Sequence, residues 1–82
     1  MPRFYFHLRS GRDIATDDDG TELPDLTAAR QEALASAREI VADAVKASKN
    51  EMPDCFVIAD ADGHELMNVR LDEALPRKLS NK

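Results

Sequence analysis

Carboxylates gather twice in this chain under one formula. Asp17-Asp18-Asp19-Gly20-Thr21-Glu22-Leu23 and Asp60-Ala61-Asp62-Gly63-His64-Glu65-Leu66 both read D-x-D-G-x-E-L. Oxygen ligands at alternate positions beside a glycine suit a hard divalent cation, so Asp17, Asp19, Asp60 and Asp62, with His64, are the candidate metal ligands. The same residues are a turn signal, because Gly takes positive φ without steric cost and Asp bonds its own backbone. An EF-hand is excluded. Aligning Gly20 or Gly63 with the glycine of such a loop puts Ala15 or Ile58 at its first ligand position and Leu26 or Val69 at its last. Solvated turns are therefore the expectation, with no metal or other cofactor. A looser site would require the two turns to meet in space.

Two other side chains carry chemistry. His7 would serve as a general base only with an orienting carboxylate and a pocket, and the pattern around it indicates neither. Cys55 has no identifiable base beside it, so a small, partly buried side chain is expected rather than a nucleophile. No catalytic residue follows, and the chain reads as a non-enzyme. Phe4, Tyr5 and Phe6 resemble the aromatics of sheets that stack RNA bases, yet only Tyr5 falls on the open face, with Arg3, Arg9 and Arg70 as local positive charge. A net charge of -5 weighs against gripping phosphate backbones. There is no phosphate-cradling glycine loop and no His-Glu metalloprotease spacing.

The elements that must position these residues come from periodicity. Residues 3 to 9 alternate strictly, with Phe4, Phe6 and Leu8 on one face and Tyr5, His7 and Arg9 on the other, which is a half-buried strand. A three-residue Ser10-Gly11-Arg12 loop is expected to set Arg9 opposite Asp13, Leu8 opposite Ile14 and Phe6 opposite Thr16, joining a charge pair to an apolar pair. The first D-x-D-G then ends this second strand. A helix follows from about Leu26 to about Ser48, capped by Asp25 and striped by Leu26, Ala29, Ala33, Ala37, Ile40, Val41 and Ala44. Lys46 and Lys49 suit its negative end, and Asn50 is the expected stop.

A two-residue Asp62-Gly63 turn would fix the second hairpin. It pairs Ile58 with Met67 and Phe56 with Val69 on one face, and Cys55 with Arg70, Val57 with Asn68 and Ala59 with Leu66 on the other. At the tip it sets Asp60 against Glu65, a like-charge flaw.

The architecture expected is α+β in the order β-β-α-β-β, one long helix on one face of a small antiparallel sheet. Phe4, Phe6, Leu8, Phe56, Ile58, Met67 and Val69 face the helix. Tyr5, His7, Arg9, Val57, Asn68 and Arg70 form the candidate binding face, exposed and without a partner element. Residues 1–75 are expected to make one domain, and 76–82 a flexible basic tail. At 82 residues such a domain buries only about 60% of its unfolded surface. Ala supplies much of the apolar fraction and Trp is absent, so self-association would help. A single cysteine excludes an internal disulfide and fits a reducing compartment. No leader pattern and no long apolar run is present, so a cytoplasmic protein without a membrane partner is expected.

The chain resembles a family of small bacterial proteins of unknown function that open Met-Pro-Arg, aromatics and His-Leu or His-Val. The matching residues are Met1-Pro2-Arg3-Phe4-Tyr5-Phe6-His7-Leu8, the acidic segment and Glu-Leu-Pro-Asp junction from Asp17 to Asp25, Ala28-Ala29, Glu32-Ala33, and Phe56 to Leu66. That resemblance implies no activity, cofactor or catalytic residue. A weaker likeness, of topology alone, is to antitoxin-type folds, and fold does not give function. The leading expectation is a noncatalytic interaction module that forms a homodimer, or binds another protein, through its open sheet face or an edge strand. The alternatives are a nucleic-acid-binding or antitoxin-like regulator using Tyr5, His7, Arg9 and Arg70, and a divalent-metal protein or enzyme using the Asp-rich turns.

Overall fold

The alternating opening segment forms a strand, β1 (Arg3–Ser10), in the computed structural model, which describes residues 1–47 and 52–74. Two short strands, β2 (Asp13–Ala15) and β3 (Thr21–Glu22), both pair antiparallel with β1 along the same edge. The helix α1 (Leu26–Lys46) follows, then β4 (Cys55–Ala59) and β5 (Glu65–Arg70), with a 3-10 turn at Leu71–Ala74. The sheet runs β2-β1-β4-β5, with β3 beside β1. The architecture is α+β as expected, with one more strand. β3 escapes a periodicity reading because it is two residues long and is held by distant partners, among them the bond from the Leu23 N–H to the Pro2 carbonyl at 3.1 Å.

The helix starts where its cap dictates. Asp25 is extended, and its carboxylate accepts from the Ala28 N–H at 2.9 Å, satisfying one of the amides that a first turn leaves free. Ala29, Ala33, Ala37 and Ala44 are buried, and their small side chains let α1 lie close to the sheet. Phe4, Phe56, Ile58, Val69 and Leu71 complete the core, with Phe6, Leu8 and Met67 packed on it. Each fully buried aliphatic among these contributes about 1.5–3 kcal/mol. Phe6 and Phe56 meet edge to face, with ring centroids 6.4 Å apart. Ala47 closes the helix one residue before the expected end, while Lys49, Asn50 and the basic tail fall outside the described residues. Among the described residues no helix is long and apolar enough to cross a membrane.

The first hairpin corrects the expected register. Its loop is the two residues Gly11-Arg12, so Ser10 faces Asp13, Arg9 faces Ile14 and Leu8 faces Ala15. Gly11 has φ of 62°, and a glycine with positive φ at the first central position is what a tight two-residue hairpin asks for. An exposed charge pair contributes too little to outweigh that demand. Ile14 consequently lies on the face opposite the helix, 45% exposed, instead of beside Leu8.

The second hairpin follows the expected register through four pairs, Cys55 with Arg70 to Ile58 with Met67, and then departs from it. A bulge sets Ala59 opposite Glu65, not Leu66, and Asp60 no longer faces Glu65. The Asp60 N–H instead donates to the His64 carbonyl and the Gly63 N–H to the Asp60 carbonyl, both at 3.0 Å. The expected like-charge flaw does not exist.

Candidate functional site

The face turned away from α1 is a grid of nine residues read straight from strand register. Its rows run Tyr5, Ala59, Glu65; then His7, Val57, Asn68; then Arg9, Cys55, Arg70. The sequence thus brings its six candidate binding residues onto one surface. Val57, however, is not exposed: its accessibility is 0%, and Cys55 and Ala59 beside it are also buried. The central column is covered by its own neighbours. Arg9 and Glu65 occupy opposite corners of the grid, and their side chains meet at 3.9 Å, a diagonal that crosses above Val57. The bulge makes this possible by moving Glu65 into the row that Leu66 would otherwise hold. Glu65 was invisible as a member of this face because strict alternation gives its place to leucine.

The remaining polar residues of the face also have partners. Arg70 pairs with Asp72 in the 3-10 turn, and its backbone N–H donates to Glu73 at 3.0 Å. The His7 Nδ1 accepts from the Asp17 N–H at 3.1 Å, so the ring proton of the neutral form sits on Nε2. Both arginines of the proposed nucleic-acid face are thus matched to carboxylates, and His7 is occupied by the first acidic segment.

That segment lies along the outer edge of β1, in the gap between β2 and β3. One Asp17 carboxylate oxygen accepts from the Phe6 N–H at 3.1 Å, and the other from the N–H groups of Asp19 and Gly20 at 3.2 and 3.1 Å. Partial burial pushes the Asp17 carboxyl up, but the Phe6, Gly20 and Asp19 donors, with His7 nearby, outweigh it and hold the group below its ordinary value. Arg3 closes the segment, donating to the Asp19 carbonyl at 2.9 Å and to Glu22 at 3.0 Å. Gly20 has φ of 72°, and a β-carbon there would stand 2.7 Å from the Arg3 Cγ and 2.9 Å from the Tyr5 ring.

The second acidic segment caps its own hairpin. One Asp60 oxygen accepts from the Asp62 and His64 N–H groups, both at 2.9 Å, and the other meets the His64 Nδ1 at 3.2 Å. The His64 backbone donor is the chief cause holding the Asp60 carboxyl below its ordinary value, against desolvation, with the His64 ring and the Asp62 amide adding to it. Asp60, Asp62 and His64 bring ligand atoms within 4.8 Å of one another, and neither Asp17 nor Asp19 joins them. The two turns do not make a shared site among the described residues.

A profile of the family "Domain of unknown function (DUF6894)" matches residues 3–72. The chain belongs to DUF6894. The matched span takes in every strand and the helix, so the DUF6894 unit is the whole sheet-and-helix layer. No curated protein and no solved structure matches this DUF6894 chain.

Proposed function

We propose that this DUF6894 domain is a noncatalytic interaction module that pairs with a second copy of itself through the outer edge of β5. The observation that carries the reading is the unequal treatment of the two sheet edges. The outer edge of β1 is filled along its length by β2, the Asp17 carboxylate and β3. The outer edge of β5, six residues long, has no paired strand among the described residues and is closed only at its end, where the Arg70 N–H donates to the Glu73 carboxylate. Such an edge presents unpaired N–H and C=O groups, a ready template for another strand. Antiparallel pairing of two β5 strands about a two-fold axis would continue the sheet and enlarge a core that holds few large side chains.

The edge is favoured over the face because Val57, the apolar centre of the face, is already covered by its neighbours. We also infer a cytoplasmic setting, since the lone Cys55 is a buried free thiol. Sedimentation equilibrium tests the pairing. Twice the chain mass is expected at high concentration, reverting to the monomer mass in Leu66→Lys, which puts a charge at an exposed position of the edge strand. A wild-type chain that stays monomeric at its highest soluble concentration overturns the reading.

A further inference from the structure

Beneath the Arg9, Cys55, Arg70 row the sheet ends in an open hollow of about 570 Å³, walled by those residues, Met52, Pro53 and Leu71 and by the carboxylate residues Asp54 and Asp72. That volume lies in the range of small-molecule sites. Arg9 and Arg70 line it from strands on either side of β4, their β-carbons about 10 Å apart by two strand spacings, with the Arg9 guanidinium drawn toward Glu65 and free to turn to the hollow when that pair opens. An oxyanion held between them would be met from both sides, and guanidinium forks match carboxylate and phosphate oxygens.

Neither arginine is consumed by its present partner. At 3.9 Å the Arg9 contact with Glu65 is an ion pair without a hydrogen bond, and Arg70 meets Asp72 through a single nitrogen. Each guanidinium has five N–H donors, so most remain for a ligand. The Asp54 carboxylate is turned to the first hairpin, where it accepts from the Gly11 N–H at 2.9 Å, and so opposes an incoming anion less than its position suggests. Met52 and Pro53 supply an apolar wall on one side.

We propose that this hollow binds a small organic oxyanion, its charged group bridged by Arg9 and Arg70 and its apolar part against Met52 and Pro53. The carboxylates Glu65 and Asp72 act as internal competitors for the two guanidiniums. Removing a competitor therefore strengthens binding, an effect opposite in sign to that of removing an arginine.

The test is a titration of the full-length chain with inorganic phosphate, acetate and butyrate at constant ionic strength, followed by amide chemical shifts. Saturable shifts centred on Arg9, Asp54, Cys55 and Arg70 are expected, with dissociation constants around millimolar. Arg9→Gln and Arg70→Gln should each weaken binding about tenfold, whereas Glu65→Gln and Asp72→Asn should tighten it several-fold. Butyrate tighter than both acetate and phosphate assigns the ligand to carboxylates with an apolar tail; phosphate tightest assigns it to phosphate monoesters. The proposal is overturned by no saturable shift with any of the three anions, by shifts elsewhere, or by binding that survives in the Arg9→Gln/Arg70→Gln double variant. Weaker binding in Glu65→Gln and Asp72→Asn also overturns it, because those residues would then be supports and not competitors.

Discussion

The two D-x-D-G-x-E-L segments share a local geometry and differ in what they hold. In each, the first aspartate accepts from the N–H two residues on, and in each the glutamate reaches an arginine of β1, Arg3 for Glu22 and Arg9 for Glu65. Their remaining bonds diverge. Asp17 spends its second oxygen on the Phe6 amide of a neighbouring strand, whereas Asp60 spends its own on His64 within the same tip. Gly20 is pressed against Arg3 and Tyr5, while a β-carbon at Gly63 would meet nothing within 4 Å. One formula therefore makes a clasp on a sheet edge in one place and a free-standing hairpin tip in the other. The motif specifies the turn, and the surroundings decide whether the turn supports anything else.

Glycine substitution should separate the two most widely. Gly20→Ala is expected to cost about 2–4 kcal/mol, adding the left-handed backbone penalty to contact with Arg3 and Tyr5. Gly63→Ala carries the backbone penalty alone, about 1–2 kcal/mol. Urea denaturation of the matched pair reads the difference, and equal losses would erase the distinction between clasp and tip.

Removing the first aspartate is the next largest effect. Asp17→Ala deprives the Phe6, Asp19 and Gly20 amides of an acceptor and should cost about 1–3 kcal/mol, while Asp60→Ala, whose orphaned donors lie at an exposed tip and turn to water, should cost clearly less. A larger loss at Asp60 would reverse the assignment.

Acid should then reveal the same clasp. The folded state holds the Asp17 carboxyl below its ordinary value of 3.8, so its contribution is complete above that pH and is lost as pH falls through the lower folded value. The stability gap between wild type and Asp17→Asn is expected to narrow on acidification below about pH 4. A gap that widens there contradicts the sign.

Smallest are the glutamates. Glu22→Gln should cost about 0–1 kcal/mol, as an exposed pair with Arg3. Glu65→Gln is expected in the same range by thermal denaturation, though it loosens the cover over Val57. A loss well beyond that range at Glu65 alone would mean that the diagonal with Arg9 supports the face more than an exposed pair can.

Much of this was legible in the residues themselves. Asp25 and the alanine stripe announce the helix, because a cap and a buried face are both written in local spacing. Apolar alternation announces four pairs of the second hairpin, since a slip would turn Phe56 toward Asn68. The bulge was not legible: it arises from bonds between Asp60 and His64 at the tip, which a period of two does not record. The first register was misjudged because a rim charge pair was weighed above the demand of Gly11. Burial of Val57 was hidden for a related reason. A long diagonal between corner side chains lies over it, and alternation assigns faces without saying what crosses them. In the candidate face the six residues were found together and Cys55 was set on it by the register with Arg70, while Glu65 was missed, displaced into the face by the bulge.

The central claim is that Asp17 serves as part of the sheet edge, and hydrogen exchange at the Phe6 amide tests it most directly. Slow exchange is expected in the native chain, comparable with the central-strand amide of Val57, with the protection at Phe6 lost selectively in Asp17→Ala. A Phe6 amide that exchanges freely in the native chain, or one whose protection survives Asp17→Ala, would contradict it.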